Sequence, residues 1–146
     1  MTKPSPTERK NYFAFFEITT RWMDNDVYGH VNNVVYYSYF DSVVNQYLIE
    51  QAGLDIHEGE HIGLMVQSQC DYFASVAFPD KLTGGLRVNR LGNSSVEYGL
   101  AIFKEGEDKA CAQGALTHVF VERSTQTPVR ISDDTRSALQ ALISKD

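Results

Sequence analysis

Cysteine is scarce: only Cys70 and Cys111 occur in 146 residues, far apart and each in an apolar segment. A disulfide framework is thereby excluded as the source of stability, and two buried free thiols in a reducing cytoplasm are expected. No apolar run approaches the ~20 residues that a membrane-spanning helix needs. The first eleven residues are polar and lack the apolar stretch of a secretory signal, so none is expected there. Positive charge is also in short supply. Thirteen Lys and Arg against nineteen Asp and Glu leave a formal charge of −6. That balance excludes a general attraction for nucleic acid or anionic lipid, and a polyanionic ligand requires a local basic cluster. No internal repeat or low-complexity tract is present. What remains is an ordinary globular mixture, 42% hydrophobic and 22% charged, at a length that suits one domain. Folding a chain of this size buries roughly 68% of its unfolded surface, enough for a core without disulfide or metal.

Residues 1–11 read as a flexible arm, followed by a domain over 12–146. Phe16, Ile18, Thr20 and Trp22 alternate with Glu17, Thr19 and Arg21, which predicts a strand over roughly 13–22. Met23 to Asn33 is rich in Asp, Asn and Gly and reads as a loop. The period then changes. Tyr36, Phe40, Val43, Val44, Tyr47 and Leu48 recur at three- and four-residue intervals, one face of a long helix. Asn32 or Asn33 is suited to cap its start and Gly53 its end. Further alternating runs follow at 62–74, 86–89 and 95–102, with an extended stretch at 110–121. Turn residues separate them at Phe78-Pro79-Asp80, Gly92-Asn93-Ser94 and Glu105-Gly106-Glu107-Asp108, which predicts an antiparallel meander. Ser132-Asp133-Asp134 opens a short C-terminal helix running to about Ser144. The expected class is α+β, a curved antiparallel sheet of about five strands wrapped around one long helix.

Chemistry concentrates in Asp24-Asn25-Asp26-Val27-Tyr28-Gly29-His30-Val31-Asn32-Asn33, directly before the long helix. A helix start offers unpaired amides and a partial positive charge, which together stabilise a developing oxyanion. A neighbouring carboxylate can attack a carbonyl or activate water. Gly29 permits a close backbone approach. The same residues also suit a plain turn and cap, and a lone histidine in a loop is commonly just hydrogen-bonded. An Asp/Asp/His metal site matches no zinc or EF-hand spacing.

The run Arg21-Trp22-x-Asp24-x-Asp26-x-x-Gly29-His30-Val31-Asn32-Asn33-x-x-Tyr36-x-x-Tyr39-Phe40-Asp41 resembles the signature of hot-dog-fold acyl-CoA thioesterases of the 4-hydroxybenzoyl-CoA thioesterase type. Its His-Val-Asn-Asn form is similar to the long-chain acyl-CoA branch and also to acyl-carrier-protein thioesterases. The resemblance implies a hot-dog domain whose catalytic carboxylate is Asp26, nucleophile or general base. It implies that the Asn33 amide, in the first turn of the helix, is the oxyanion donor, and that His30 is the histidine some members use beside the aspartate. Tyr28 stands where those members carry Asn, so their full Asp–Asn–His arrangement is absent. Asn33 stands where a related branch carries a catalytic His.

Substrate contacts are expected from Gly29, Asn32 and Tyr36, with Tyr37, Phe40 and Val44 as candidate walls for the acyl chain. Arg90, Ser94 and Ser95, at a hairpin beside Arg87, are candidates for a pantetheine or phosphate group, although an ordinary hairpin with solvated arginines is the simpler reading. Asp24 reads as a turn or capping group. The resemblance implies an acyl-CoA substrate, no metal or other cofactor, no nucleic-acid or membrane partner, a cytoplasmic location, and a homodimer or homotetramer with the site between subunits. Two alternatives are an acyl-carrier-protein thioesterase and a non-catalytic acyl-CoA binding module.

Overall fold

The apolar stripe of 36–48 organises the molecule. In the computed structural model, which describes residues 4–143, it forms helix α1, Val35–Gln51. Tyr36, Tyr39, Phe40, Val43, Val44, Tyr47 and Leu48 are all buried on one face. They meet Leu86, Val88, Val96, Tyr98, Leu100, Ile102, Leu116 and Phe120 in a single core cluster. Each large apolar side chain so buried contributes about 1.5–3 kcal/mol. Backbone contact is close at Gly84, where an added Cβ would stand 2.5 Å from Val43 Cγ2. The helix stops at Gly53, whose left-handed φ of +70° turns the chain so that the Leu54 amide reaches Leu48 O.

Five strands wrap this helix: β1 Ala14–Thr19, β2 His61–Tyr72, β3 Lys81–Leu91, β4 Ser95–Lys104 and β5 Ala112–Glu122. All neighbours are antiparallel, in the order β1-β3-β4-β5-β2. Only β3, β4 and β5 form the expected meander. β2 crosses to the far edge to pair with β5, and β1 closes the other edge on β3. A short helix α2, Asp133–Gln140, is capped by Ser132 Oγ, which accepts from the Thr135 amide. It ends before Ser144, which lies outside the described residues. Among the described residues no helix is long and apolar enough to cross a membrane.

Three local expectations are corrected. Strand β1 ends at Thr19, not near Trp22. The Asp24 carboxylate accepts from the Arg21 amide and side chain, folding Trp22–Asp24 into a 3-10 turn that leaves Trp22 75% exposed. Strand β2 does not keep one alternating face. Its register with β5 shifts between Met65 and Gln67, and this bulge at Val66 moves Ile62 and Leu64 to the opposite face from Ser68, Cys70 and Tyr72. The arm is also more than a loose tail. The Thr7 amide and hydroxyl donate to Gln113 Oε1, and the Arg9 amide donates to Asp108 O. Its first three residues lie outside the described span.

Candidate active site

The polar segment before α1 is a closed loop, not an open turn. Asn25 and Val31 bridge antiparallel. Inside that bridge the Asp26 amide donates to His30 O at 2.9 Å, and the Gly29 amide to Asp26 O at 3.0 Å. Gly29 supplies the φ of +85° that the reversal requires. Two further bonds fix the loop to the body: Val31 N to Val76 O at 2.8 Å, and Asn32 N to Asp24 O at 2.9 Å.

Asp26 is half-buried and lightly held. One carboxylate oxygen accepts from the Tyr28 amide at 2.9 Å, and Asn32 Nδ2 approaches the other at 3.5 Å. The carboxylate faces a cleft of about 380 Å³, between the start of α1 and the end of β2, which Val31, Asn33, Tyr36 and Tyr72 also line. Tyr36 and Tyr72 meet edge to face, 5.0 Å between centroids. Burial pushes the Tyr36 phenol up to about 12, so it is neutral in ordinary buffers.

Asn33 is not in the first turn of α1. It lies in the turn before it, because the helix begins at Val35. Neither expected cap serves: the cap position is Val34, without a side-chain cap bond, and Asn32 instead closes the turn before it, its Oδ1 accepting from the Val34 amide and its carbonyl from the Val35 amide. The amides of 31, 32, 34 and 35 all have partners, whereas the Asn33 amide has none among the described residues.

Other expected residues are placed differently. His30 is exposed, and its imidazole makes no hydrogen bond among the described residues. Gly29 and Asn32 shape the loop but do not line the cleft. Phe40 and Val44 are fully buried core. Arg90, Ser94 and Ser95 are not among the residues that line the cleft, and the carbonyls of their turn bond within the chain. Arg136 donates to Gly92 O and Asn93 O, the Ile131 amide to Asn93 O, and the Phe120 amide to Ser94 O. A larger open groove of about 810 Å³ beside β1 holds none of the candidate residues. Among the described residues no three His, Cys, Asp or Glu side chains are grouped to hold a metal ion.

Two residues gain weight from the structure. Asp24 is 1% exposed and accepts from Tyr39 Oη at 2.7 Å as well as from Arg21. Burial pushes its carboxyl up, but the bonds from Tyr39 and Arg21 outweigh it and hold the group below its ordinary range. Tyr72 closes the cleft from β2. Its hydroxyl donates to Asn33 O at 2.9 Å. In the sequence it is marked only as one position of the apolar alternation over 62–74.

The sheet, the helix it wraps and the cleft at the helix start define a hot-dog domain. The thioesterase superfamily profile matches residues 28–111, more than half of the chain, so the chain belongs to the thioesterase superfamily and is a thioester hydrolase. Asp26 lies just before the matched span. The crystal structure of the PA5185 protein from Pseudomonas aeruginosa strain PAO1 is similar over 97% of this chain and 99% of that one, at 60% identity and a TM-score of 0.95. The Bacillus subtilis strain 168 protein YsmA is 28% identical over 90% of this chain and 89% of its own. Slr0204, a 1,4-dihydroxy-2-naphthoyl-CoA thioesterase from Synechocystis, shares the fold at a TM-score of 0.78 and 15% identity, over 86% and 94% of the two chains.

Proposed function

We propose that the chain is an acyl-CoA thioesterase that releases free acid and coenzyme A, with Asp26 as the catalytic carboxylate and the Asn33 amide as oxyanion donor. The observation that carries this reading is their meeting in one cleft: a lightly bonded carboxylate and a partner-free amide at the start of a long helix. As general base, Asp26 takes a proton from water while the water oxygen bonds to the thioester carbon. The carbonyl oxygen gains charge beside the amide and the positive end of α1. The C–S bond then breaks, and the coenzyme A thiolate leaves and takes up a proton. As nucleophile, Asp26 bonds to the thioester carbon, the C–S bond breaks and the coenzyme A thiolate leaves and takes up a proton, and water then cleaves the resulting anhydride to free acid and the restored Asp26 carboxylate. Neither route calls on a cofactor. Coenzyme A as carrier is supported by the shared fold of Slr0204, and a reducing cytoplasm suits the two free thiols, Cys70 and Cys111.

A panel of aliphatic and aromatic acyl-CoAs, read by free-thiol release, tests the reading. Asp26→Asn keeps shape and removes the charge, so turnover is expected to fall by at least ~10²-fold. Equal activity of the two proteins would overturn the assignment. His30→Ala is expected to leave both melting temperature and turnover close to wild type. A fall in rate on the acid side of the pH profile that vanishes in this variant would instead make the imidazole a working base.

A further inference from the structure

Among the described residues the Asn33 amide has no partner, but the groups around it do. Before it, Asn32 N donates to Asp24 O and Asn32 O accepts from the Val35 amide. After it, Asn33 O accepts from Tyr72 Oη at 2.9 Å and Val34 N donates to Asn32 Oδ1 at 3.0 Å. Both peptide planes that flank the Asn33 Cα are therefore held by their own bonds, and the N–H left over belongs to Asn33, a residue that lines the cleft. Three of those four bonds come from the loop and helix itself. The fourth comes from a different element, the last residue of β2.

Tyr72 is well placed to hold rather than merely touch. It still pairs with Ala112 in the sheet. The next two amides, Phe73 and Ala74, both donate to Cys111 O, at 2.8 and 3.1 Å, which anchors the strand end. Its ring stands edge-on against the buried Tyr36. Burial, with Cys70 and Tyr37 nearby, pushes the phenol above its ordinary value, so the hydroxyl stays a donor through any neutral assay.

We propose that Tyr72 is a positioning residue for the oxyanion donor: its hydroxyl, by fixing the Asn33 carbonyl from strand β2, aims the Asn33 N–H into the cleft. This rests on the reading of the cleft given above. Interactions that matter only when charge develops on the carbonyl oxygen affect turnover and not ground-state binding. A misaimed amide should therefore spare substrate affinity and cost rate.

Tyr72→Phe keeps the ring against Tyr36 and removes only the hydroxyl. Losing one neutral hydrogen bond worth about 1 kcal/mol corresponds to a fall in kcat of about fivefold, with KM for the same acyl-CoA within twofold. Two inhibitors sharpen the test. A trifluoromethyl-ketone analogue of the acyl-CoA, which mimics the tetrahedral oxyanion, should bind more weakly by the factor lost in kcat/KM. A thioether analogue, which carries no carbonyl, should bind as before. Unchanged kcat, or equal weakening of both analogues, would overturn the positioning role while leaving the cleft's reading intact. Wild-type protein inert on every acyl-CoA, or Asp26→Asn fully active, would overturn that reading and the positioning role with it.

Discussion

Two aspartates two residues apart have different physical fates. Asp26 keeps an open cleft beside it, while Asp24 is buried and saturated by Tyr39 and Arg21. Through its carbonyl Asp24 also holds Asn32, and through its carboxylate it ties the loop to α1. The reading of Asp24 as a turn group is right about the turn it makes with Arg21 and incomplete about the helix it anchors. Asp24→Asn is expected to lower stability by about 1–3 kcal/mol, since a buried partner is left short of an acceptor. The pH sign follows from the depressed carboxyl. Its contribution is complete above the ordinary 3.8 and is lost as pH falls below that, toward the lowered folded value. Urea unfolding at pH 7 and pH 3 checks both points: wild type should lose more on acidification than Asp24→Asn, and equal losses would contradict the assignment.

At the scale of elements, what was legible is what repeats locally. Helix α1 is announced by its own 3.6-residue period, and its buried face is the one the spacing picks out. The turn at Ser132 and the strands β3 to β5 are equally local. The order of the sheet is not, because which edge β2 joins depends on pairing across the molecule and leaves no mark in the 61–72 segment. The bulge at Val66 is hidden for the same reason. An unbroken apolar alternation looked like one face, and only pairing with β5 shows that it is two. At the proposed site the motif singles out Asp26 but not Tyr72, whose partner is a backbone carbonyl 39 positions away.

The bulged pairing also explains a group outside the cleft. His118 in β5 is 3% exposed and lies against Tyr98, with Nδ1 to Oη at 3.3 Å. Gly63 of β2 leaves the room: a Cβ there would come within 2.9 Å of His118 Nδ1. Burial pushes the imidazole down to about 4, only partly opposed by the charge of Asp41. A histidine held neutral in the folded state contributes its full stability above the ordinary 6.5, and that contribution shrinks as pH falls from 6.5 toward 4. One pKa unit is about 1.4 kcal/mol, so the whole window is worth about 3 kcal/mol. Unfolding free energies at pH 7.5 and 4.5 should differ by less in His118→Gln than in wild type, and the same slope in both proteins would rule this histidine out as the cause.

The whole molecule leaves its sheet open at both ends, with β1 and β2 as edges. The β2 edge is twelve residues long and carries Met65 and Val66, 45% and 60% exposed. Around the cleft, Val27, Tyr28 and Val34 are 95%, 84% and 67% exposed. A long apolar edge in a single chain invites strand addition, and natural proteins rarely leave one uncovered. A second copy is the occupant that fits with least demand. An antiparallel strand can pair with its own two-fold image, and one such contact uses the same patch on both copies. The proposed cleft opens between that edge and α1, so a partner docked there would also wall the substrate in. The protein is therefore expected to run at twice its 16.5 kDa chain mass, or a multiple of that, at micromolar concentration. Val66→Lys puts a charge on this exposed edge, repeated on each copy that pairs through it, and should shift the species toward monomer. Turnover should fall in proportion to the dimer lost and recover as protein concentration is raised. Sedimentation and free-thiol release over one dilution series make the comparison, and a wild-type monomer with undiminished specific activity would show that the cleft is complete in one chain.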